Sequence, residues 1–226
     1  LLFSFVLLGI FPLIAKKVVD YTKAQKVMRR YKKPAHFDNN LVVIGAGSAG
    51  LVSAHIAAAV KAKVTLIEKH KMGGDCLNTG CVPSKAILRS AKILSYIKRA
   101  KEYGFKTASV VFEFSEIMDR VHKVIKQIEP HDSVERYTKL GVECIQGEAT
   151  ITSPYTVKIN DKEITTRNII VASGGRPFVP PLPGLEDTKY YTSDTIWTLR
   201  KLPKRLVVLG GGPIGCELAQ AFARFG

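Results

Sequence analysis

Residues 41–68 constrain this chain more than any other stretch. Leu41-Val-Val-Ile44 is a short apolar run of strand character. It leads into Gly45, Gly47 and Gly50, spaced as G-x-G-x-x-G and enclosing Ser48. A helical pattern follows over 48–61, then a second strand, Val64–Glu68, that ends in an acid. This is the fingerprint of a strand–helix–strand unit that binds a dinucleotide. The first glycine permits the tight turn, the second admits pyrophosphate to the backbone, and the third lets helix and strand pack closely. The helix start offers free N–H groups and a dipole that favour phosphate. Glu68 is placed to accept hydrogen bonds from a ribose, and its charge disfavours a 2′-phosphate. The site therefore suits FAD or NAD rather than NADP, and the fold class is α/β, Rossmann-like.

The pattern recurs. Arg205-Leu-Val-Val-Leu-Gly-Gly-Gly-Pro-Ile-Gly-Cys-Glu217 again sets three glycines, Gly210, Gly212 and Gly215, between a strand pattern and a helix pattern. Two fingerprints imply two dinucleotides, as in a flavoprotein that passes hydride between them. The chain opens on Leu1 and stops at Gly226, before a second acid could follow. A fragment of a longer protein is the expectation.

Between the fingerprints lies Gly73-Gly-Asp-Cys-Leu-Asn-Thr-Gly-Cys-Val-Pro-Ser-Lys85, with Cys76 and Cys81 at the expected start of a long helix. A thiolate is favoured near a helix N-terminus and near a cation. Lys85, four residues beyond Cys81, shares its helix face. The thiolate is the nucleophile of disulfide exchange, so the pair is a candidate redox centre; a structural bridge or two unpaired thiols are the other readings. No further Cys or His stands at ligand spacing, so no metal site is expected. Cys144 and Cys216 read as small apolar side chains.

The remaining pattern is ordinary. A helix is expected over 115–140, capped by Ser115 and interrupted at Pro130. Strands follow over 142–151, 155–159, 163–165 and 168–172, with a hairpin at Asn160-Asp161. Together they form a β-meander inserted into the α/β unit. The last strand leads to Ser173-Gly-Gly-Arg176, and a proline-rich link precedes a short helix capped by Ser193 or Asp194.

The formal charge of +15 is unevenly placed. Residues 1–15 carry no charge, whereas residues 16–40 hold eight Lys or Arg against two Asp. An apolar run followed by a basic flank reads as the end of a transmembrane helix with a cytoplasmic linker. It does not read as a nucleic-acid arm. Four segments are expected: 1–15, the helix end; 16–40, the linker; 41–185, an FAD-binding domain; and 186–226, the start of an NAD(P)-binding domain.

From Leu41 onward the chain resembles the pyridine nucleotide-disulfide oxidoreductases, the family of dihydrolipoyl dehydrogenase, glutathione reductase and mercuric reductase. The resemblance is carried most specifically by the cysteine stretch. Asp75 before the first cysteine and Asn-Thr-Gly between the two look like the mercuric reductase branch. The resemblance implies that Gly45, Gly47, Gly50 and Glu68 hold the ADP half of FAD. It implies that Gly147 and Ala149 contact adenine through the backbone. Ser173, Gly174 and Arg176 would close over the flavin site, with Ser in place of the usual Thr. Gly74 joins the cofactor site, Cys76 would meet substrate, and Cys81 would face the flavin as a charge-transfer thiolate. Lys85 would lie near the flavin and pair with Glu217, and Gly210, Gly212 and Gly215 would hold NAD(P)H. The family works as a homodimer. The implied activity is transfer of hydride from NAD(P)H through FAD to the cysteine pair, and on to a small disulfide, thiol or metal-ion substrate. A dihydrolipoyl dehydrogenase, running the flow backwards, and a membrane-tethered flavin-binding redox sensor are the alternatives.

Overall fold

In a computed structural model the chain is described over residues 2–226, with side chains described from residue 11 onward. The first element is a long helix, α1 (Leu2–Met28). Phe11, Leu13 and Ile14 are exposed on it, and beyond Lys16 it presents its basic residues to solvent. It ends at Met28, ahead of Pro34, whose ring disfavours helical backbone in the residue before it. Among the described residues no helix is long and apolar enough to cross a membrane. The expected membrane-spanning helix end at 1–15 falls mostly on residues 1–10 and so lies largely outside the side chains described; the described residues do not support it.

The α/β unit is built around a six-stranded mixed sheet in the order β3 (Val142–Gln146), β2 (Val64–Glu68), β1 (Asn39–Ile44), β6 (Lys162–Val171), β5 (Thr156–Ile159), β4 (Ala149–Ser153). Its parallel part joins β1, β2, β3 and the second half of β6. α2 (Ser48–Ala59) makes the crossover from β1 to β2. Its Leu51, Ala54 and Ala58 pack on Leu41, Val43 and Leu66 on one face of the sheet. Val42 and Ile67 point to the other face, where they meet Val157, Ile159 and Ile164. The alternation of strand side chains thus divides one apolar run between two cores.

The meander differs from the expected pattern in two places. The strand expected over 142–151 is two: β3 ends with Gly147 donating the last parallel-ladder bond, to Glu68 O at 2.9 Å, and β4 (Ala149–Ser153) pairs antiparallel with Thr156–Ile159 instead. The two runs expected at 163–165 and 168–172 are one strand. Its first residues pair antiparallel with β5 (Thr156–Ile159), and Thr166 to Val171 pair parallel with β1. Asn160, at φ +52°, makes the hairpin in the left-handed conformation that asparagine tolerates.

Helices form the rest. α3 (Gly74–Asn78) and α4 (Cys81–Lys98) carry the cysteine stretch. α5 (Phe114–Ile128) and α6 (Val134–Lys139) divide the helical stretch expected over 115–140, with Pro130 in the turn at Glu129–Asp132 between them, where the interruption was expected. Glu113, not Ser115, precedes α5, and Ser133 caps α6 by accepting from Arg136 N at 3.2 Å. Neither Ser193 nor Asp194 caps the short helical turn at Ile196–Thr198, which Thr195 precedes. α7 (Pro213–Phe225) packs with α4, α5 and Trp197 in an apolar cluster that includes Phe114, Phe222 and Phe225. The strand expected before α7 does not form. Leu206–Leu209 have no neighbouring strand among the described residues, and Val207 is 90% exposed. A strand without a ladder partner leaves its backbone groups to water.

Asp38 ties the entry of β1 to β6. Its carboxylate accepts from Thr165 N and Thr165 Oγ1, both at 2.8 Å, and Thr165 Oγ1 accepts from Asp38 N at 3.0 Å. These bonds hold the Asp38 carboxyl below its ordinary value of 3.8. A depressed carboxyl stabilises the fold above the unfolded-state value and loses that contribution as pH falls through the folded-state value. Asp38→Ala should lower stability by about 0.5–1 kcal/mol at neutral pH, discounted for the exposure of the group. The deficit should vanish in acid; urea titrations at both pH values measure it.

Candidate active site

The site begins with the β1–α2 turn. Gly45 stands at φ +101°, and a Cβ there would run into the Ala172 carbonyl. A Cβ on Gly50 would collide with the Gly45 carbonyl. Gly47, extended, leads into α2, and a Cβ on Gly74 would lie 2.6 Å from the Gly47 Cα. The starts of α2 and α3 therefore abut backbone to backbone, and Gly74, at φ +53°, is the glycine this requires; a Cβ on Gly47 would meet the Gly74 Cα at an ordinary 3.8 Å. The first amides of α2, from Ser48 on, have no acceptor within their own helix and face the cleft described next.

This cleft has a volume of about 850 Å³, within the range of about 300–1,000 Å³ for ligand pockets. Gly45, Gly47, Ser48 and Glu68 form its floor, with Gly74 and Cys76 beside them. Gly147 and Ala149 line it from the β3–β4 junction, and Ser173, Gly174 and Arg176 from the end of β6. Most residues expected at the first dinucleotide site border this one space; Gly50, buried in the turn, and Lys85 do not. Sequence reasoning passed over Lys69, His70, Lys71 and Asp194, which line it too. Lys69, Lys71 and Arg176 supply the positive charge that a pyrophosphate needs. Glycine backbone, helix starts, cations and an acid at the end of β2 fit FAD.

Glu68 does more than face a ribose. One carboxylate oxygen accepts from Ala46 N and the other from His70 N, each at 2.7 Å. The side chain thus braces the turn it belongs to. Glu68→Ala should weaken flavin binding and cost about 1–3 kcal/mol of stability, read as flavin content and urea midpoint of the purified chain.

All four cysteines are free thiols. Cys76 is half-buried on α3 and lines the cleft; Cys81 opens α4, is exposed, and stands outside the lining. The expectation of a lowered Cys81 pKa is reversed here: the thiol sits above its ordinary value of 9.0. The main cause is a hydrogen bond with Cys76, followed by burial and by the charge Cys76 would carry. Lys85 acts the other way, more weakly. Its ammonium is engaged elsewhere, 2.8 and 2.9 Å from the two oxygens of Glu217 on α7. Cys76→Ala removes the largest cause, so alkylation of Cys81 should then set in at lower pH than in the unaltered protein.

The Lys85–Glu217 pair joins the cysteine helix to the second fingerprint. It is largely exposed, so its contribution to stability is about 0–1 kcal/mol. The second turn repeats the first: Gly210 has φ +103°, and a Cβ on Gly215 would sit 2.6 Å from the Gly210 carbonyl. Gly212 is extended before α7 as Gly47 is before α2. Gly210, Gly212 and Gly215 do not line the first cleft. The structure holds two separate turns of one geometry.

Comparison with known proteins agrees with this geometry. Residues 39–226 match the family model described as pyridine nucleotide-disulphide oxidoreductase. The chain is 37% identical over 191 residues to a dihydrolipoyl dehydrogenase of Acholeplasma laidlawii, covering 82% of this chain and 56% of that protein. It is 34% identical to a mercuric reductase of Bacillus cereus, covering 84% of this chain and 30% of that protein. Among solved structures it is similar to the HOCl-induced flavoprotein disulfide reductase RclA from Escherichia coli, with a TM-score of 0.69 and 29% identity over 82% of this chain and 40% of that one. The chain thus spans about a third to a half of the length of these curated relatives. The family uses FAD and NAD(P)H, and the cleft, the second turn and the cysteine pair each have a counterpart in that chemistry. The chain belongs to the pyridine nucleotide-disulphide oxidoreductase family.

Proposed function

We propose that this chain is the FAD-binding and dithiol-bearing part of an NAD(P)H-dependent flavoprotein disulfide reductase. One observation carries the reading: Cys76 stands in the wall of the cleft that Gly47, Gly74 and Glu68 build. The bound flavin would supply the two-electron link between nicotinamide and sulfur. The chain's own residues do the rest. Gly45, Gly47, Ser48 and Glu68 bind and orient the cofactor; Gly210, Gly212 and Gly215 do so for NAD(P)H. Cys76, as thiolate, attacks a substrate disulfide, forming a mixed disulfide and releasing one thiolate. Cys81 then displaces the second product thiolate and closes the Cys76–Cys81 bridge. Lys85, held by Glu217, keeps a positive charge one helical turn from Cys81.

The substrate in this reading is a small disulfide or thiol, or mercuric ion. Asp75 and Asn78-Thr-Gly80 favour the mercuric branch. The identity to dihydrolipoyl dehydrogenases, 37% and 38% in two of them, favours the reverse flow as the second reading. Residues 41–185 would be the FAD domain and 186–226 the start of the NAD(P) domain, in a homodimer. A cytoplasmic placement beside a membrane belongs to the reading too and rests on residues 1–40 alone; recovery of the full protein in the soluble fraction would remove it. The function is tested by purifying the chain with its flavin and assaying NAD(P)H-dependent reduction in the full-length protein against glutathione disulfide, lipoamide and mercuric ion. Turnover of one of them that needs both cysteines is expected. Flavin-free, folded protein would contradict the reading.

A further inference from the structure

Thr79 and Gly80 are the only residues between α3, which carries Cys76, and α4, which begins with Cys81. Their amides both point back to the Asp75 carbonyl. Their outward side is met by Trp197, the single tryptophan of the chain. Its indole Nε1 donates to Thr79 O at 2.7 Å and to Ser193 O at 2.7 Å. The ring is 5% exposed, seated in the cluster formed by α4, α5 and α7.

Trp197 is itself held. His122 Nε2 on α5 donates to Trp197 O at 3.1 Å. Arg200, three residues on, meets both oxygens of Asp119 on the same helix at 2.6 and 2.9 Å. α5 therefore fixes the 197–200 segment at two points, and that segment reaches into the turn between the cysteines. A bland reading, in which Trp197 merely fills the core, accounts for the ring but not for an N–H aimed at the Thr79 carbonyl.

We propose that Trp197 is a positioning residue that holds the turn between Cys76 and Cys81 and so sets how readily the two thiols close into a disulfide. The inference rests on the redox role proposed above for the pair. Disulfide geometry is narrow, so the equilibrium between bridge and dithiol depends on how constantly the two sulfurs are presented to each other. The Asp75 carbonyl of α3 fixes the turn's two amides; Trp197 fixes the Thr79 carbonyl. Without that donor the turn wanders, the sulfurs meet less often, and the bridge is easier to reduce.

The test equilibrates the full chain, with its flavin, in mixtures of reduced and oxidised glutathione. The reaction is balanced: the bridge plus two glutathione thiols gives the dithiol plus one glutathione disulfide. Trp197→Phe keeps a buried ring and loses the donor. Its equilibrium constant for closing the bridge should fall about fivefold, the size of one net hydrogen bond, while flavin content stays unchanged. An unaltered constant in Trp197→Phe, beside normal bridging in the unsubstituted protein, overturns the proposal and leaves the redox role standing. An unsubstituted protein that never bridges Cys76 to Cys81 removes the redox role and the proposal with it. Should the variant fail to fold, the unsubstituted protein still decides: its one indole N–H resonance should move between dithiol and disulfide forms, and an unmoved resonance overturns the proposal.

Discussion

Replacing either cysteine of the pair by serine should stop disulfide turnover in the full-length enzyme, to below about one thousandth of its rate. Exchange needs one thiolate to form the mixed disulfide and a second to resolve it. A hydroxyl does neither at neutral pH. The two variants should differ otherwise. Cys81→Ser leaves Cys76 in the cleft wall and should still be alkylated or form a mixed disulfide with glutathione. Cys76→Ser leaves Cys81 exposed and relieved of the neighbour that raises its pKa. By family resemblance Cys81 faces the flavin, so Cys76→Ser should keep the long-wavelength absorbance of a thiolate beside oxidised flavin, and Cys81→Ser should lose it. The exposure of Cys81 and the placement of Cys76 in the cleft lining make this comparison informative. Equal spectra would undo the division of roles, and full activity without Cys76 would undo the mechanism. Acidification should diminish the band of Cys76→Ser, because only the thiolate gives it, and with the Cys76 thiol gone the loss should begin from a lower pH than in the unaltered protein.

Gly50→Ala should be the most disruptive single methyl added to the chain. The new Cβ would collide with the Gly45 carbonyl, a backbone atom that cannot swing aside. Gly45 cannot yield either, since it stands at φ +101° between Ile67 O, which accepts its N–H at 2.8 Å, and the Ala172 carbonyl. The strain must spread into the β1–α2 turn and the cleft floor. A loss of about 2–3 kcal/mol is expected from overpacking, together with loss of bound flavin; the urea midpoint and the flavin-to-protein absorbance ratio measure the two. Gly211→Ala, where an added Cβ meets nothing and which lies outside the cleft lining, is the matched control and should be near neutral.

The parts of the site that repeat a local rule were legible in the sequence. Gly45, Gly47, Gly50 and Glu68 are bound to one strand–helix–strand unit, and their spacing fixes their geometry. The hairpin at Asn160 follows from one residue that accepts positive φ. What sequence pattern did not reveal depends on distant partners. The break of 142–151 follows from its two halves having different partners: β3 pairs with β2, and β4 pairs with β5 at the opposite edge of the sheet. The merging of 163–165 with 168–172 follows from β6 serving two neighbours in opposite directions, which no local periodicity encodes. Leu206–Leu209 have every local mark of a strand and, among the described residues, none of the partners that make one. The raised Cys81 thiol came from the same source: Lys85 was correctly placed on its helix face, but Glu217 draws its charge and Cys76 lies close enough to outweigh it. Trp197 was visible only as a lone tryptophan in the composition; nothing in its neighbours points to a turn over a hundred residues away.

The account stands on one claim, that the flavin cleft of this chain carries a redox-active Cys76–Cys81 pair. The most direct measurement is peptide mass mapping of the flavin-loaded chain after oxidation and after reduction. Oxidised protein should yield a single bridge joining Cys76 to Cys81, reversible by reductant, with Cys144 and Cys216 remaining as thiols and flavin retained throughout. Oxidised protein in which Cys76 and Cys81 remain unbridged, or are bridged to Cys144 or Cys216 instead, would contradict it.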